Sequence, residues 1–308
     1  MRLVTLDVLT ASHGPTHEQY VDADGTTWIC TSIKGWLSAP ARRTKHTERT
    51  TGDGAHRSAA YRQTRSMSVE GRMFPATDAQ GWAAAERLLA ICPDPGERYP
   101  MVVDGATHPL LAYVEQAGEV LCDQTGPLQW DWSVPVIAAD PYRYLPSWTS
   151  VGPSSAGSDG VGGIVTASPG ITTSSPGIAT GTAASLAQAT VFGAGTVDNQ
   201  LVLQVTGPTS GVQVADLAGT SIVGVRGTVA AGESVFINCS ARVAFDVPGC
   251  PVPIPARGAV IGASNARGAI WISGGWPRLG PAEQRTFRLT GATGAGSALT
   301  VHTRGTWV

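Results

Sequence analysis

Membrane-length apolar runs, concentrated charge, lysine and paired cysteines are what this chain of 308 residues has little of. No apolar stretch approaches the roughly 18–20 residues of a helical membrane span, so no membrane insertion is expected. Charged residues make up 14% and the formal net charge is −2, which gives no bulk field for nucleic acid or an anionic membrane. The basic residues are almost all arginine, a coding bias more than a physical signal. The five cysteines (Cys30, Cys92, Cys122, Cys239 and Cys250) are odd in number and form no Cys-x-x-Cys. That pattern fits reduced thiols of a protein made in a cytosol better than a disulfide framework or a zinc site. At the N-terminus Asp7 interrupts what would be a signal peptide's apolar core, so no secretion is expected.

Catalytic signatures are missing too. There is no Gly-x-Ser-x-Gly elbow, no His-Glu-x-x-His, no phosphate-cradling Gly-Lys-Ser/Thr loop and no dinucleotide fingerprint. His13 and His17 lie four apart, but the Gly14-Pro15 between them denies the helix that would aim both at one metal. Asp22 and Asp24 begin like a calcium loop, yet the later acidic ligands are missing; Asp22-Ala23-Asp24-Gly25 reads as a turn. No catalytic, metal or cofactor site is expected.

What is present is strand pattern. Trp130, Trp132, Val134 and Val136 alternate with polar residues, the period of a strand with one buried face, and Asp140-Pro141 stops it. Met67, Val69, Gly71 and Met73 alternate in the same way. Residues 3–9, 26–33, 100–103 and 110–114 are further strand candidates. One helix is expected after Thr77, which forms a capping box with Gln80, and before Pro93. Trp82, Ala85, Leu88, Leu89 and Cys92 would form its core face, with Gln80, Ala83 and Arg87 opposite. Residues 42–65 form the one clearly basic segment, with Arg42, Arg43, Lys45, Arg49, Arg57, Arg62 and Arg65 against Glu48 and Asp53. It reads either as a solvated loop or as one facing a partner or phosphates; Tyr61 alone does not make a base-stacking platform.

From residue 147 the composition shifts to Gly, Ser, Thr, Ala and Pro. Residues 153–184 repeat Ser168-Pro169-Gly170-Ile171 as Ser175-Pro176-Gly177-Ile178, an extended arm, irregular strands or a disordered stretch. Beyond 189, strands recur at 200–206, 212–215, 221–226, 233–239, 241–247, 259–262, 268–273, 285–290 and 298–303. Gly, Pro and Asn turns separate them, as in a β-sandwich.

The order of these features resembles the distal tail and minor tail proteins of siphophages. The resemblance rests on the closing strand that runs into Ala139-Asp140-Pro141-Tyr142-Arg143-Tyr144 and on Leu203-Gln204-Val205-Thr206-Gly207-Pro208. It rests also on Ala231-Gly232-Glu233 before a hairpin and on Trp276-Pro277-Arg278-Leu279 before a strand. Two departures are a Gly/Pro stretch without aromatics and Gly280-Pro281 where Pro-Gly would be usual.

The fold class expected is mainly β. An N-terminal β-sandwich or split-barrel-like domain with one helix (1–146) leads through an arm or linker (147–189). A C-terminal antiparallel sandwich of galectin or carbohydrate-module type (190–308) follows. The resemblance implies a non-enzymatic virion component at the tail tip, synthesised in the host bacterial cytoplasm. It implies a ring, typically a homohexamer made by the first domain, with DNA passing through the lumen. Implied partners are the tail tube protein, the tape-measure protein, and the tail hub, fibres or receptor-binding proteins. Arg42, Arg43, Lys45, Arg49 and Arg57 would then face the lumen or a partner. The alternative function is a carbohydrate-binding module for host attachment, with Trp271, Trp276 and Trp307 as candidate glycan-facing aromatics; core packing is the other role open to them.

Overall fold

The computed structural model describes residues 2–14, 19–53, 55–57, 60–155, 187–218, 221–240, 260–262, 270–293 and 296–308. The chain divides into two compact units, Met1–Pro146 with Trp307–Val308, and Ser147–Thr306.

The first unit begins with β1 (Arg2–Leu6) and β2 (Leu9–His13), where the sequence suggested a single strand over 3–9. Asp7, at φ +48°, turns the chain between them, and Leu6 pairs with Leu9. Next come β3 (Tyr20–Val21) and β4 (Thr27–Lys34) around the Asp22–Gly25 turn. The basic segment holds β5 (Arg42–Arg43), β6 (His46–Glu48), β7 (Ala55–Arg57) and β8 (Tyr61–Arg62). After it run β9 (Arg65–Phe74), the helix α1 (Asp78–Leu89), β10 (Tyr99–Asp104) and β11 (Pro109–Gln116). The unit continues with β12 (Leu121–Gly126), β13 (Gln129–Ala138) and β14 (Arg143–Tyr144).

The strand order β13-β9-β4-β2-β1-β10-β11 closes on itself, because β11 pairs back onto β13 through Glu115–Ile137 and Gln116–Val136. The result is a seven-stranded barrel in which the β2–β4 step is parallel and the others antiparallel. Its interior follows from the period of two: Met67, Val69 and Met73 of β9 and Trp130, Trp132, Val134 and Val136 of β13 are all buried. Burial of each such side chain is worth about 2 kcal/mol. Gly71 breaks the apolar series for a steric reason. It sits opposite Trp132, and a Cβ there would lie 2.3 Å from that ring and 2.1 Å from the Ile29 carbonyl oxygen.

Thr77 caps α1, its hydroxyl accepting from Gln80 N at 3.3 Å. The Gln80 side chain does not complete the reciprocal box; it donates to Asp24 O at 2.9 Å. The buried face is Gly81, Ala84, Ala85 and Leu88, so the expected core roles of Trp82 and Leu89 are corrected: they are 55% and 54% exposed. Small residues face inward because the helix lies close over Trp130, whose Nε1 is 2.7 Å from where a Gly81 Cβ would be. Trp82 instead meets the Trp130 ring edge-on at 4.9 Å.

The second unit holds β15 (Thr149–Ser155), β16 (Gln188–Phe192), β17 (Gln200–Thr206), β18 (Thr209–Asp216) and β19 (Ile222–Val229). It continues with β20 (Ser234–Asn238), β21 (Val260–Gly262), β22 (Ile270–Ser273), β23 (Gln284–Thr293) and β24 (Ala298–Arg304). The short β25 (Thr306–Trp307) ends the chain. Two sheets, β15-β24-β17-β20-β21 and β16-β23-β18-β19-β22, share one core that includes Leu203, Val205, Val214, Phe287 and Leu299. Both flanks of the Gly/Ser/Thr stretch are strands of this sandwich, β15 along β24 and β16 along β23. Ala189 and Val191 are buried between exposed Gln188, Thr190 and Phe192, an alternation that small residues conceal in the sequence. The Gly-Ile repeats, the strand expected at 241–247, His17 and Cys250 lie outside the described residues.

Candidate functional site

The basic segment is a hairpin built in two stages. β5 pairs with β8, placing Arg42 opposite Arg62 and Arg43 opposite Tyr61. β6 then pairs with β7 through His46–Arg57, Thr47–His56 and Glu48–Ala55. Arg42, Arg43, Lys45 and Arg49 are exposed, and Tyr61 is 67% exposed. Arg49 reaches across the tip to Asp53 O at 3.5 Å. Arg57 lies on β7; its side chain is outside the described set. Like charges directly across a ladder destabilise it, so the Arg42–Arg62 pair costs the hairpin stability. Such a cost is offset where an acidic surface meets the hairpin.

The foot of the hairpin is fixed firmly. Arg65, 2% exposed, donates through Nη1 to the carbonyls of Gly35 at 2.9 Å, Trp36 at 3.1 Å and Ser38, and through Nε to Pro141 O at 3.1 Å. Burial, with Arg143 and Arg62 nearby, pulls its guanidinium down to about 10, so it is still a cation at neutral pH. Arg143 lies over the Trp36 ring at 5.5 Å. The Asp140 side chain closes the Asp-Pro turn, accepting from Tyr142 N at 3.2 Å and from the Tyr144 hydroxyl. The motif that carried the family resemblance is therefore part of the hairpin's anchorage.

Helix α1 offers a second surface. Ala79, Trp82, Ala83, Leu89 and Ala90 are exposed on it, with Glu86 among them. Asp78, Asp94 and Glu97 are exposed around them. A recess of about 210 Å³ adjoins the helix, lined by Val8, Tyr20, Trp28, Ala84, Arg87 and Leu88 among others. The Asp22–Gly25 turn packs here as a tie, not as a cation loop. Asp22 accepts from Asp24 N at 3.0 Å, Thr26 N at 2.8 Å, Trp28 Nε1 at 3.0 Å and Arg87 at 3.0 Å, and Arg87 also pairs with Asp24 at 2.6 Å. Burial pushes the Asp22 carboxyl up, but the bonds from Trp28, Thr26 and Asp24 and the Arg87 charge together hold it below its usual value.

No group of three or more potential metal ligands occurs among the described residues. A serine–histidine contact does occur: Ser150 Oγ lies 2.8 Å from His302 Nδ1, with Nε2 2.9 Å from Gln204 Oε1. A carboxamide stands where a triad has its carboxylate, and Ser150 and His302 are cross-strand neighbours of β15 and β24. The candidate aromatics are dispersed. Trp271 lies on β22 against Gly224, whose missing Cβ makes room for its ring. Trp276 packs on the sandwich core, and Trp307 belongs to the first unit, 4.6 Å from the His108 ring. Sequence reasoning missed the hairpin pairing and the exposed helix face; for the former the turn residues Gly52-Asp53-Gly54 were the available signal.

No protein-family model matches the chain, and no curated protein matches it. Solved structures do. The crystal structure of the SPP1 Dit protein, described as a paradigm of the hub adsorption apparatus in phages infecting Gram-positive bacteria, superposes with a TM-score of 0.59. Identity is 11%, and the match covers 100% of both chains. A chain of the phage P2 baseplate in its activated conformation with Ca gives a TM-score of 0.41 at 8% identity, over 96% of this chain and 100% of that one. The resemblance to siphophage distal tail proteins carried by the order of sequence features is thus a likeness of fold that spans the whole chain.

Proposed function

We propose that this chain is a structural, non-enzymatic distal tail protein of a siphophage. The observation that carries the reading is the end-to-end fold likeness to the SPP1 hub protein. In this reading the first unit makes a ring, a homohexamer, at the virion tail tip. The ring joins the tail tube to the hub and to fibres or receptor-binding proteins, with the tape-measure protein and the DNA in its lumen. An exposed basic hairpin on an otherwise acidic chain supports a protein that works through its surfaces. Residues 42–62 hold six basic against two acidic side chains, whereas the rest of the chain holds 15 against 21. A barrel with its own core and a sandwich with another, the latter taking in β15 and β16, further support two domains separable near Ser147, the ring contacts lying in the first. Light scattering of the purified chain at micromolar concentration tests the ring: a single closed oligomer is expected, and a strict monomer both free and within tails contradicts it.

A further inference from the structure

The hairpin and the helix sit at opposite ends of one strand. The hairpin enters β9 at Arg65, and the chain leaves β9 at Phe74 for α1. Ten extended residues separate them by about 30 Å. At the Arg65 end the exposed charges are basic in excess, Arg42, Arg43, Lys45 and Arg49 against Glu48 and Asp53, with Tyr61 and the 86% exposed Leu37 as the apolar members. At the Phe74 end they are acidic and apolar. Residues 76–97 carry Asp78, Glu86, Asp94 and Glu97 against Arg87, and Arg87 is engaged by Asp22 and Asp24. Trp82 and Leu89 stand exposed between these carboxylates, and Val8, 61% exposed, borders the recess beside them.

An apolar face carrying Trp and Leu is uncommon on a helix with no partner, and aromatic residues are the ones interfaces use as anchors. Two surfaces of opposite charge, each with an aromatic, at opposite ends of a rigid barrel suit a head-to-tail contact between identical chains. A two-fold pairing of hairpin with helix would use up both surfaces in a dimer, whereas the head-to-tail arrangement leaves one of each open at every step and can close into a ring. We infer that the basic hairpin of one copy docks on the outward face of α1 in the next copy. Tyr61 meets the Trp82–Leu89 surface, and Arg42, Arg43 and Arg49 meet Glu86, Asp94 and Glu97. The inference deepens the ring reading and rests on it.

The test places a photo-crosslinking amino acid at position 61 in the full-length protein, in a mixture of isotopically light and heavy chains. Adducts between chains should map to residues 73–98. In parallel, Arg42→Glu with Arg43→Glu should weaken self-association at least about tenfold, as should Glu86→Lys with Glu97→Lys. An equimolar mixture of the two variants should recover much of the lost association, because each supplies one intact surface, and the four-fold variant should regain association through inverted charges. Circular dichroism of each variant checks that the fold is kept. Inter-chain adducts elsewhere in an oligomer, or reversals that leave association unchanged, overturn this contact while leaving the ring standing. A chain that stays monomeric even on assembled tails overturns both.

Discussion

Arg65 Nε donates a hydrogen bond to the carbonyl oxygen of Pro141 at 3.1 Å, joining positions 76 residues apart. The same guanidinium holds the carbonyls of Gly35, Trp36 and Ser38, so one buried cation ties the loop before the hairpin to the turn after the closing strand. Arg65→Ala would strand several carbonyls, and the cost should be about 3 kcal/mol or more in a urea titration. Arg65→Lys should recover only part, since a single ammonium cannot reproduce the planar fork. Equal stability of wild type and Arg65→Ala would show that the anchorage is dispensable.

The barrel wall admits no side chain at Gly71. Gly71→Ala sets a methyl group against the Trp132 ring and the Ile29 carbonyl, and Trp132 is already packed beside Trp28 at 6.1 Å. The variant should lose about 3 kcal/mol or fail to accumulate as folded protein. Gly25→Ala meets nothing within 4 Å and carries only the strain of φ +83°, so it should lose markedly less. Thermal melts of the two variants side by side provide the comparison.

These two sites show what the sequence could and could not reveal. The closing strand was legible because Trp130 to Val136 alternate strictly with polar residues, and burial of one face requires that period. The helix was legible from Thr77 and Pro93, but its orientation was not. Hydrophobicity favoured Trp82 and Leu89 as core, whereas the close approach of Trp130 demanded Gly81, Ala84 and Ala85. Among the described residues the hairpin has no buried face, so periodicity is silent there and only the Gly-Asp-Gly tip marked it. Barrel closure rests on Glu115–Ile137 and Gln116–Val136, pairings set by three-dimensional curvature that no local pattern encodes. Trp307 read as part of the sandwich because it follows β24 directly; its ring partner His108 is nearly 200 residues away in sequence.

His302 predicts a pH dependence. It is 5% exposed, and burial holds its imidazole below the usual 6.5. Because the folded state resists protonation that the unfolded state accepts, its contribution is complete above 6.5. That contribution is lost progressively as the pH falls below 6.5. The melting temperature should therefore decline from pH 7 to pH 5, and His302→Gln should flatten that slope. An identical slope in the variant would assign the dependence to other groups.

The thiols should be present but slow to react. Cys30, Cys92 and Cys122 are free thiols, and burial pushes them to about 11, 12 and 11 respectively. At pH 8 an aromatic disulfide reagent should modify these positions far more slowly than a free thiol, since little thiolate is present. In denaturant all five cysteines should titrate. A total of three or one would reveal disulfides and a different folding compartment.

The claim on which the account turns is placement at the far end of a siphophage tail. Virions carrying an epitope tag on this chain, labelled with gold-conjugated antibody and imaged by negative-stain electron microscopy, test it most directly. Gold confined to the tail tip, distal to the tube, is the predicted result. Gold along the tube, at the capsid, or absent from intact virions that display the tag in immunoblots would contradict it.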